Sequence, residues 1–305
     1  MVGTVASIVL SAFAAGGFVT PRHVITQSGL VWPLDDMFHS PMSTPHPQGA
    51  RVLAAAGTLA TSAYLLMHDR NIEILIYGGG GNMKTFNQTD APREMTAAGT
   101  LKMWAFNDGQ YLVQSDSQKA AWVFDPVKYW QPTTYSAGLA QLTPYGQAGL
   151  KLLAAKAAKA PATPTKEPEE TPPATPADPK DPKEKKPKPK MVTKFVYVPI
   201  ESAADATNVP DEPTEDSIIA VELPDGLTAT GVCQTVTPGY VVLYSSKRAF
   251  VYSLADKKLV SEVDANSFGG STLAFEAGQC YAITFGSGGG PQVAKLTVAE
   301  LSASK

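Results

Sequence analysis

Apolar and polar positions alternate in short runs along most of the chain, and a helical spacing of three or four is nearly absent. Leu59 to Met67 reads as a strand, His68-Asp69-Arg70-Asn71 as a turn and Ile72 to Tyr77 as a second strand. Met83 to Asn87 follows a glycine run. After Pro92 the pattern resumes with Leu101 to Phe106, the turn Asn107-Asp108-Gly109, Gln110 to Gln114, another polar turn and Ala120 to Phe124. Strands of five or six residues joined by Asn, Asp and Gly turns predict antiparallel meanders. Farther along, strands are expected at Lys194 to Val198, Ser217 to Leu223, Thr228 to Val236, Tyr240 to Ser245, Ala249 to Leu254 and Lys258 to Val263. Thr272 to Phe275, Gln279 to Phe285 and Gln292 to Val298 complete the series. One short helix is expected, with Thr143 as N-cap, Pro144 at the first helical position and an Ala- and Lys-rich body after Leu150.

The alternation stops between Pro161 and Lys190, where thirty residues include ten Pro, seven Lys and six Asp or Glu and no aromatic, Leu, Ile, Val or Met. Such a composition buries too little apolar area to offset ordering entropy, so a disordered, extended linker is expected. Its basic end, Lys180 to Lys190, suits either a solubilising spacer or a patch for an acidic partner. The expected organisation is an N-terminal β-rich unit at 1–160 ending in the short helix, a linker at 161–190, and an acidic β-rich unit at 191–305.

The two sides share a motif. Gly109-Gln110-Tyr111-Leu112-Val113, a polar turn and Ala121-Trp122-Val123-Phe124 on one side match Gly239-Tyr240-Val241-Val242, a turn and Ala249-Phe250-Val251-Tyr252 on the other. In each, a tight polar turn and a further strand follow. This succession resembles the blade repeat of β-propellers. The resemblance covers about 25 residues on each side and lacks the Gly-His and Trp-Asp signatures of the WD40 class. It implies an all-β fold of antiparallel meanders, either propeller-like with four or five blades at about 40–45 residues each, or a pair of β-sandwich units. Trp122 and Phe250 then occupy matching inward positions.

Composition narrows the function classes. The formal net charge of −3 argues against a general nucleic-acid binder. The two cysteines, Cys233 and Cys280, are too few for a disulfide scaffold or a four-cysteine zinc site. Residues 1–19 read either as a signal segment, with Ala12-Phe13-Ala14 as a cleavage site, or as a buried strand. With export, Cys233 and Cys280 are a candidate disulfide; in the cytosol they are two buried thiols. Beyond the first twenty residues no apolar run is long enough to span a bilayer.

Candidate chemistry mostly fails on its own residues. Gly78 to Thr85 imitates a phosphate loop, but Met83 stands where glycine must precede Lys84 and Thr85, so a glycine-rich hairpin is expected. The stretch from Gly16 to Thr26 is similar to the strand that delivers the catalytic histidine of trypsin-like serine peptidases, and Gly286 to Pro291 looks like their nucleophile loop. The histidine position falls on Gly29 and the nucleophile position on Gly288, so acyl transfer is not implied. His39 and His46, with Asp35 and Asp36 upstream and His23 and His68 distant, lack a compact metal-ligand spacing. Trp104, Tyr111, Trp122, Phe124, Tyr129 and Trp130 alternate as core and cross-strand packing requires, an exposed subset being the one route to a carbohydrate platform.

No catalytic, cofactor or metal residues are therefore assigned. The expected function is a non-enzymatic structural or interaction protein of β-repeat units, a component of a virion, cell-surface or secreted assembly, with a protein partner or a second copy of itself. The alternative is a hydrolase or lyase using carboxylates, for which Asp35, Asp36 and Asp108 are the first to test.

Overall fold

The computed structural model describes residues 17–27, 29–33, 50–78, 83–88, 91–97, 100–154, 191–235, 237–245, 248–264, 272–276, 279–285, 291–296 and 298–300. Of the segment 1–19, read as a signal or a strand, Gly17–Val19 alone is among them, as a strand, and the extended-linker reading of the Pro/Lys tract lies outside them.

Among the described residues all strand pairs are antiparallel and fall into six sheets. Sheet A holds β1 (Gly17–Val19), β2 (His23–Thr26) and β3 (Val31–Pro33). Sheet B holds β4 (Arg51–Gly57), β5 (Ser62–His68), β6 (Asn71–Tyr77) and β7 (Met83–Gln88). A short α1 (Arg93–Ala97) leads to sheet C, with β8 (Leu101–Ala105), β9 (Tyr111–Ser115), β10 (Ala120–Asp125) and β11 (Tyr129–Thr133). After α2 (Ala137–Ala140), sheet D holds β12 (Thr143–Tyr145), β13 (Ala148–Leu153), β14 (Thr193–Pro199) and β15 (Ile218–Val221), with α3 (Ala203–Thr207) between the last two. Sheet E comprises β16 (Gly231–Gln234), β17 (Tyr240–Tyr244), β18 (Arg248–Ser253) and β19 (Lys258–Asp264). Sheet F comprises β20 (Thr272–Glu276), β21 (Gln279–Phe285) and β22 (Pro291–Leu296), and the last strand, β23 (Val298–Glu300), returns to pair with β19. Four sheets thus have the four or more strands of a full blade, and two have three.

The faces of these sheets stack in chain order. Ile25 and Val31 of sheet A pack on Tyr64, Leu66 and Tyr77 of sheet B. The opposite face of sheet B, with Leu65, Ile72 and Ile74, packs on Met103, Trp122 and Phe124 of sheet C. Trp104, Leu112 and Ala121 turn the other way and meet Leu139 and Ile200. Leu150 and Phe195 of sheet D meet Leu243 and Phe250 of sheet E, and Val242, Ala249 and Val251 meet Ala282 of sheet F. Because side chains alternate between the two faces of a strand, sheets B to E each bury both faces against successive neighbours, and sheets A and F pack through the face turned to B and E. The result is an antiparallel, propeller-like all-β fold.

The repeat reading survives in detail. Phe124 pairs with Tyr111 and Trp122 with Val113, while Tyr252 pairs with Val241 and Phe250 with Leu243. Tyr111 therefore corresponds to Val241, and Tyr240 to Gln110, as the glycine alignment requires. Trp122 is 5% exposed and Phe250 0%, each turned toward the preceding sheet. The following turns also match: Asp125 Oδ1 accepts from the Val127 and Lys128 amides, and Ser253 Oγ from the Asp256 amide.

The expected helix from Thr143 is a correction. That segment forms β12 and β13, turning at Gly146 with φ +50. Ala148 and Leu150 repeat at period two and are buried, which a sheet face satisfies and a three-turn helix would not. The helix in this region is α2, upstream, where Ser136 Oγ accepts from the Leu139 amide.

β13 pairs with β14 from Ala148↔Pro199 to Leu153↔Lys194, so the tract expected at 161–190 lies in the connection between two paired strands. Residues from both sides of it share two apolar clusters, Trp104 with Ile200 and Tyr145 with Phe195. The strands on its two sides are thus packed together, as neighbours in one sheet and across the C–D and D–E faces.

Candidate functional site

A narrow pocket of about 50 Å³ lies beside Phe18 of β1, Ala54 and Ala56 of β4, Leu101 and Met103 of β8 and Pro144 of β12. Its described lining carries no ionisable side chain. The alanines of β4 belong here: β4 packs close against β8, and small side chains permit that approach.

A larger opening lies between α2, sheet D and the connection from α3 to β15, with a cavity volume of about 290 Å³. It is built from three pieces held together by Gln141. The first is α2, which is fixed to sheet C. Gln114 Nε2 donates to Ser136 O (3.1 Å) and Gln114 Oε1 accepts from the Ser136 amide (3.3 Å). Lys102 Nζ donates to Ala140 O (2.5 Å) and Leu142 O (3.2 Å), and pairs with Asp116 Oδ2 at 3.0 Å.

The second piece is the connection from α3 to β15, residues 209–217. It lies directly against α2, since a Cβ at Gly138 would stand 2.5 Å from Val209 O. Ser136 Oγ donates to Val209 O (3.4 Å) and Gln141 Nε2 to Asp211 O (3.0 Å). The third piece is sheet D itself. Val196 and Val198 of β14 form an apolar floor, and Lys151 of β13 donates to Gln141 Oε1 at 2.7 Å. A single amide side chain therefore bridges sheet D and the outer loop. Asp211, Glu212 and Asp216 stand at the lip, all exposed, with Glu215 beside them. Among the described residues none of these four has an ion-pair partner.

The residues singled out by sequence do not converge. His23 is 6% exposed and lies in a closed polar network with Thr20 and Ser62. Thr20 Oγ1 donates to His23 O (3.1 Å) and contacts Ser62 Oγ (2.7 Å), which in turn meets His23 Nδ1 at 3.0 Å. Either imidazole tautomer satisfies the Ser62 contact, with Nδ1 accepting from Ser62 Oγ or donating to it. His68 lies 3.4 Å from Asp69 at the β5–β6 turn. Asp108 is exposed and Oδ1 accepts from the Gln110 amide, a turn-forming role. Asp35, Asp36, His39, His46 and Gly288 lie outside the described residues.

Lys84 and Thr85 sit inside β7, paired with Ile76 and Leu75, so the glycine run joins a hairpin. Gly29 has φ +85 and turns the chain between β2 and β3. Cys233 is on β16 and Cys280 on β21, in different sheets, with their side chains outside the described set. Of the six aromatics, Trp104, Tyr111, Trp122, Phe124 and Trp130 are buried, and Tyr129 alone is 50% exposed. An aromatic platform on the exposed subset would have one ring. Among the described residues no three His, Cys, Asp or Glu side chains gather at a metal-binding distance.

Sequence reasoning missed the cleft. Its available signal was the loop itself, where Pro210 and Pro213 are interleaved with four acids between Asp211 and Asp216.

No family model and no curated protein matches the chain. Solved structures similar to it include the β-propeller domain of Myceliophteria thermophila Cps50 (Swd1), at 10% identity and TM-score 0.36, covering 92% of this chain and 80% of that one. A streptogramin B lyase matches at 10% identity and TM-score 0.40, with 91% and 86% covered. The AfRom2 CNH domain matches at 7% identity and TM-score 0.33, with 93% and 78% covered. The propeller-like class rests on this chain's own sheet stacking and not on these likenesses. No helix among the described residues is long and apolar enough to cross a membrane.

Proposed function

We propose that the protein is an interaction scaffold: a propeller-like body that presents binding surfaces at sheet boundaries, and serves as a component of a virion, cell-surface or secreted assembly. The observation that supports this most is the cleft between α2, sheet D and the 209–217 loop. Its walls come from three separate chain segments and are fixed by buried and bridging hydrogen bonds before any partner arrives, the preorganisation that lowers the entropic cost of binding. Its acids are exposed at a lip and have no ion-pair partner among the described residues, which suits recognition better than packing.

Placing a photo-crosslinking residue at exposed Pro213, and in a control at exposed Leu59 of the β4–β5 turn, tests the reading in the native host material. The expected result is one discrete protein adduct, or a crosslinked second copy, from position 213 and none from 59. Absence of a discrete adduct at 213, together with saturable turnover of a small molecule, would overturn it.

A further inference from the structure

We propose that the cleft between α2 and the 209–217 loop receives an extended, positively charged peptide segment of a partner protein. The inference rests on the scaffold reading and specifies its ligand chemistry. Three features define that chemistry together. The floor, Val196 and Val198, is apolar and offers no charge to a ligand. The lip carries Asp211, Glu212 and Asp216, with Glu215 beside them in the same six-residue stretch, and these four have no ion-pair partner among the described residues. The one cation of the lining, Lys151, donates to Gln141 Oε1 and keeps its charge, so the four acids outnumber it around the cleft.

Four carboxylates on so short a loop repel one another in the free protein, and cations from a ligand relieve that repulsion while steering its approach. Pro210 and Pro213 restrict the backbone of the loop that carries the acids at the mouth of the cleft. An extended segment alternating Lys or Arg with apolar or Pro residues satisfies both surfaces: its compact side chains reach the floor and its ammonium or guanidinium groups reach the lip. A metal ion is the poorer fit, because the acids form no cluster with metal-binding geometry.

The test uses the full chain and a fluorescein-labelled Lys-Pro repeat octapeptide read by anisotropy, with Lys-Gly and Glu-Pro repeats of the same length as comparisons. The expected result is saturable binding of the Lys-Pro peptide, at least fivefold weaker binding of Lys-Gly and no binding of Glu-Pro. Changing Asp211→Asn, Glu212→Gln, Glu215→Gln and Asp216→Asn together should weaken the Lys-Pro peptide roughly tenfold or more, with the circular dichroism spectrum unchanged. Equal affinity for Lys-Pro and Lys-Gly, or no effect of the four substitutions, would overturn the proposal. Binding that emerges only when the lysines between Lys180 and Lys190 are changed to Gln would also overturn it, by making the chain's own basic run the occupant. A photo-crosslinked partner at Pro213 with no peptide binding would leave the scaffold reading standing and remove this inference alone.

Discussion

Truncating Trp122 or Phe250 to Ala removes one large ring from each of two different sheet interfaces. Trp122 is 5% exposed among Leu65, Ile72 and Ile74 of sheet B, and Phe250 is fully buried against Phe195 and Leu150 of sheet D. A buried aromatic of this size covers about 150–250 Å², and at about 25 cal/mol per Å² that is roughly 4–6 kcal/mol as an upper bound. Alanine keeps part of that area and the neighbours relax only partly, which brings the expected cost to about 3–5 kcal/mol for each variant. The two rings share no apolar cluster, so the double variant should cost about the sum of the singles. Tyr129→Ala, at a ring that is 50% exposed, serves as the control and should cost much less than either. Urea unfolding followed by far-ultraviolet circular dichroism measures all four variants without relying on the tryptophan that one of them deletes. Losses under about 1 kcal/mol at both positions would refute equivalent inward positions and the sheet stacking inferred from them.

Gly138→Ala should push the 209–217 loop off α2, because the new Cβ would stand 2.5 Å from Val209 O; a stability loss of about 1–3 kcal/mol and faster amide exchange in the loop would register it. Tyr111 donates to Thr61 Oγ1, and burial pushes its phenol above the ordinary value near 10. The neutral form is therefore favoured in the fold, so its stability contribution is intact below pH about 10 and is lost as pH rises toward the folded value. Tyr111→Phe should flatten part of that alkaline loss in pH-dependent urea melts. Asp125 is held below the ordinary carboxylate range, mainly by the Val127 and Lys128 amides. Its contribution to the β10–β11 turn is present above pH about 4 and disappears as pH falls through the lowered value, which a carboxyl-carbon NMR titration would detect.

Much of the fold was legible because a half-buried or doubly buried strand writes itself into local alternation. The hairpin turns were equally local: Asp69 and Arg70 take φ +46 and +69, the left-handed pair that a two-residue connection requires, and Gly109 takes +86. β4 was missed because Arg-Val-Leu-Ala-Ala-Ala-Gly has the poor strand propensity of alanine, and its place against β8 decides its structure. The helix expected at Thr143 came from a Thr-Pro start and an Ala-Lys tail, cues that tertiary pairing with β14 overrode. That pairing joins residues on opposite sides of a long biased tract, so nothing in either strand's neighbourhood announces it. The cleft was hidden for the same reason. Gln141, Lys151 and Asp211 acquire a shared role only when α2, β13 and the outer loop meet.

The central claim is that the chain on both sides of the Pro/Lys tract forms one packed body through sheet D. A specific protease site introduced into the tract, cleaved to completion and followed by native mass spectrometry, tests it directly. The β13–β14 pairing from Ala148↔Pro199 to Leu153↔Lys194 and the clusters shared across the cut predict that the two fragments stay together as a single one-to-one species, separating only on denaturation. Fragments that part at once under native conditions, each retaining its own β-sheet spectrum, would contradict it.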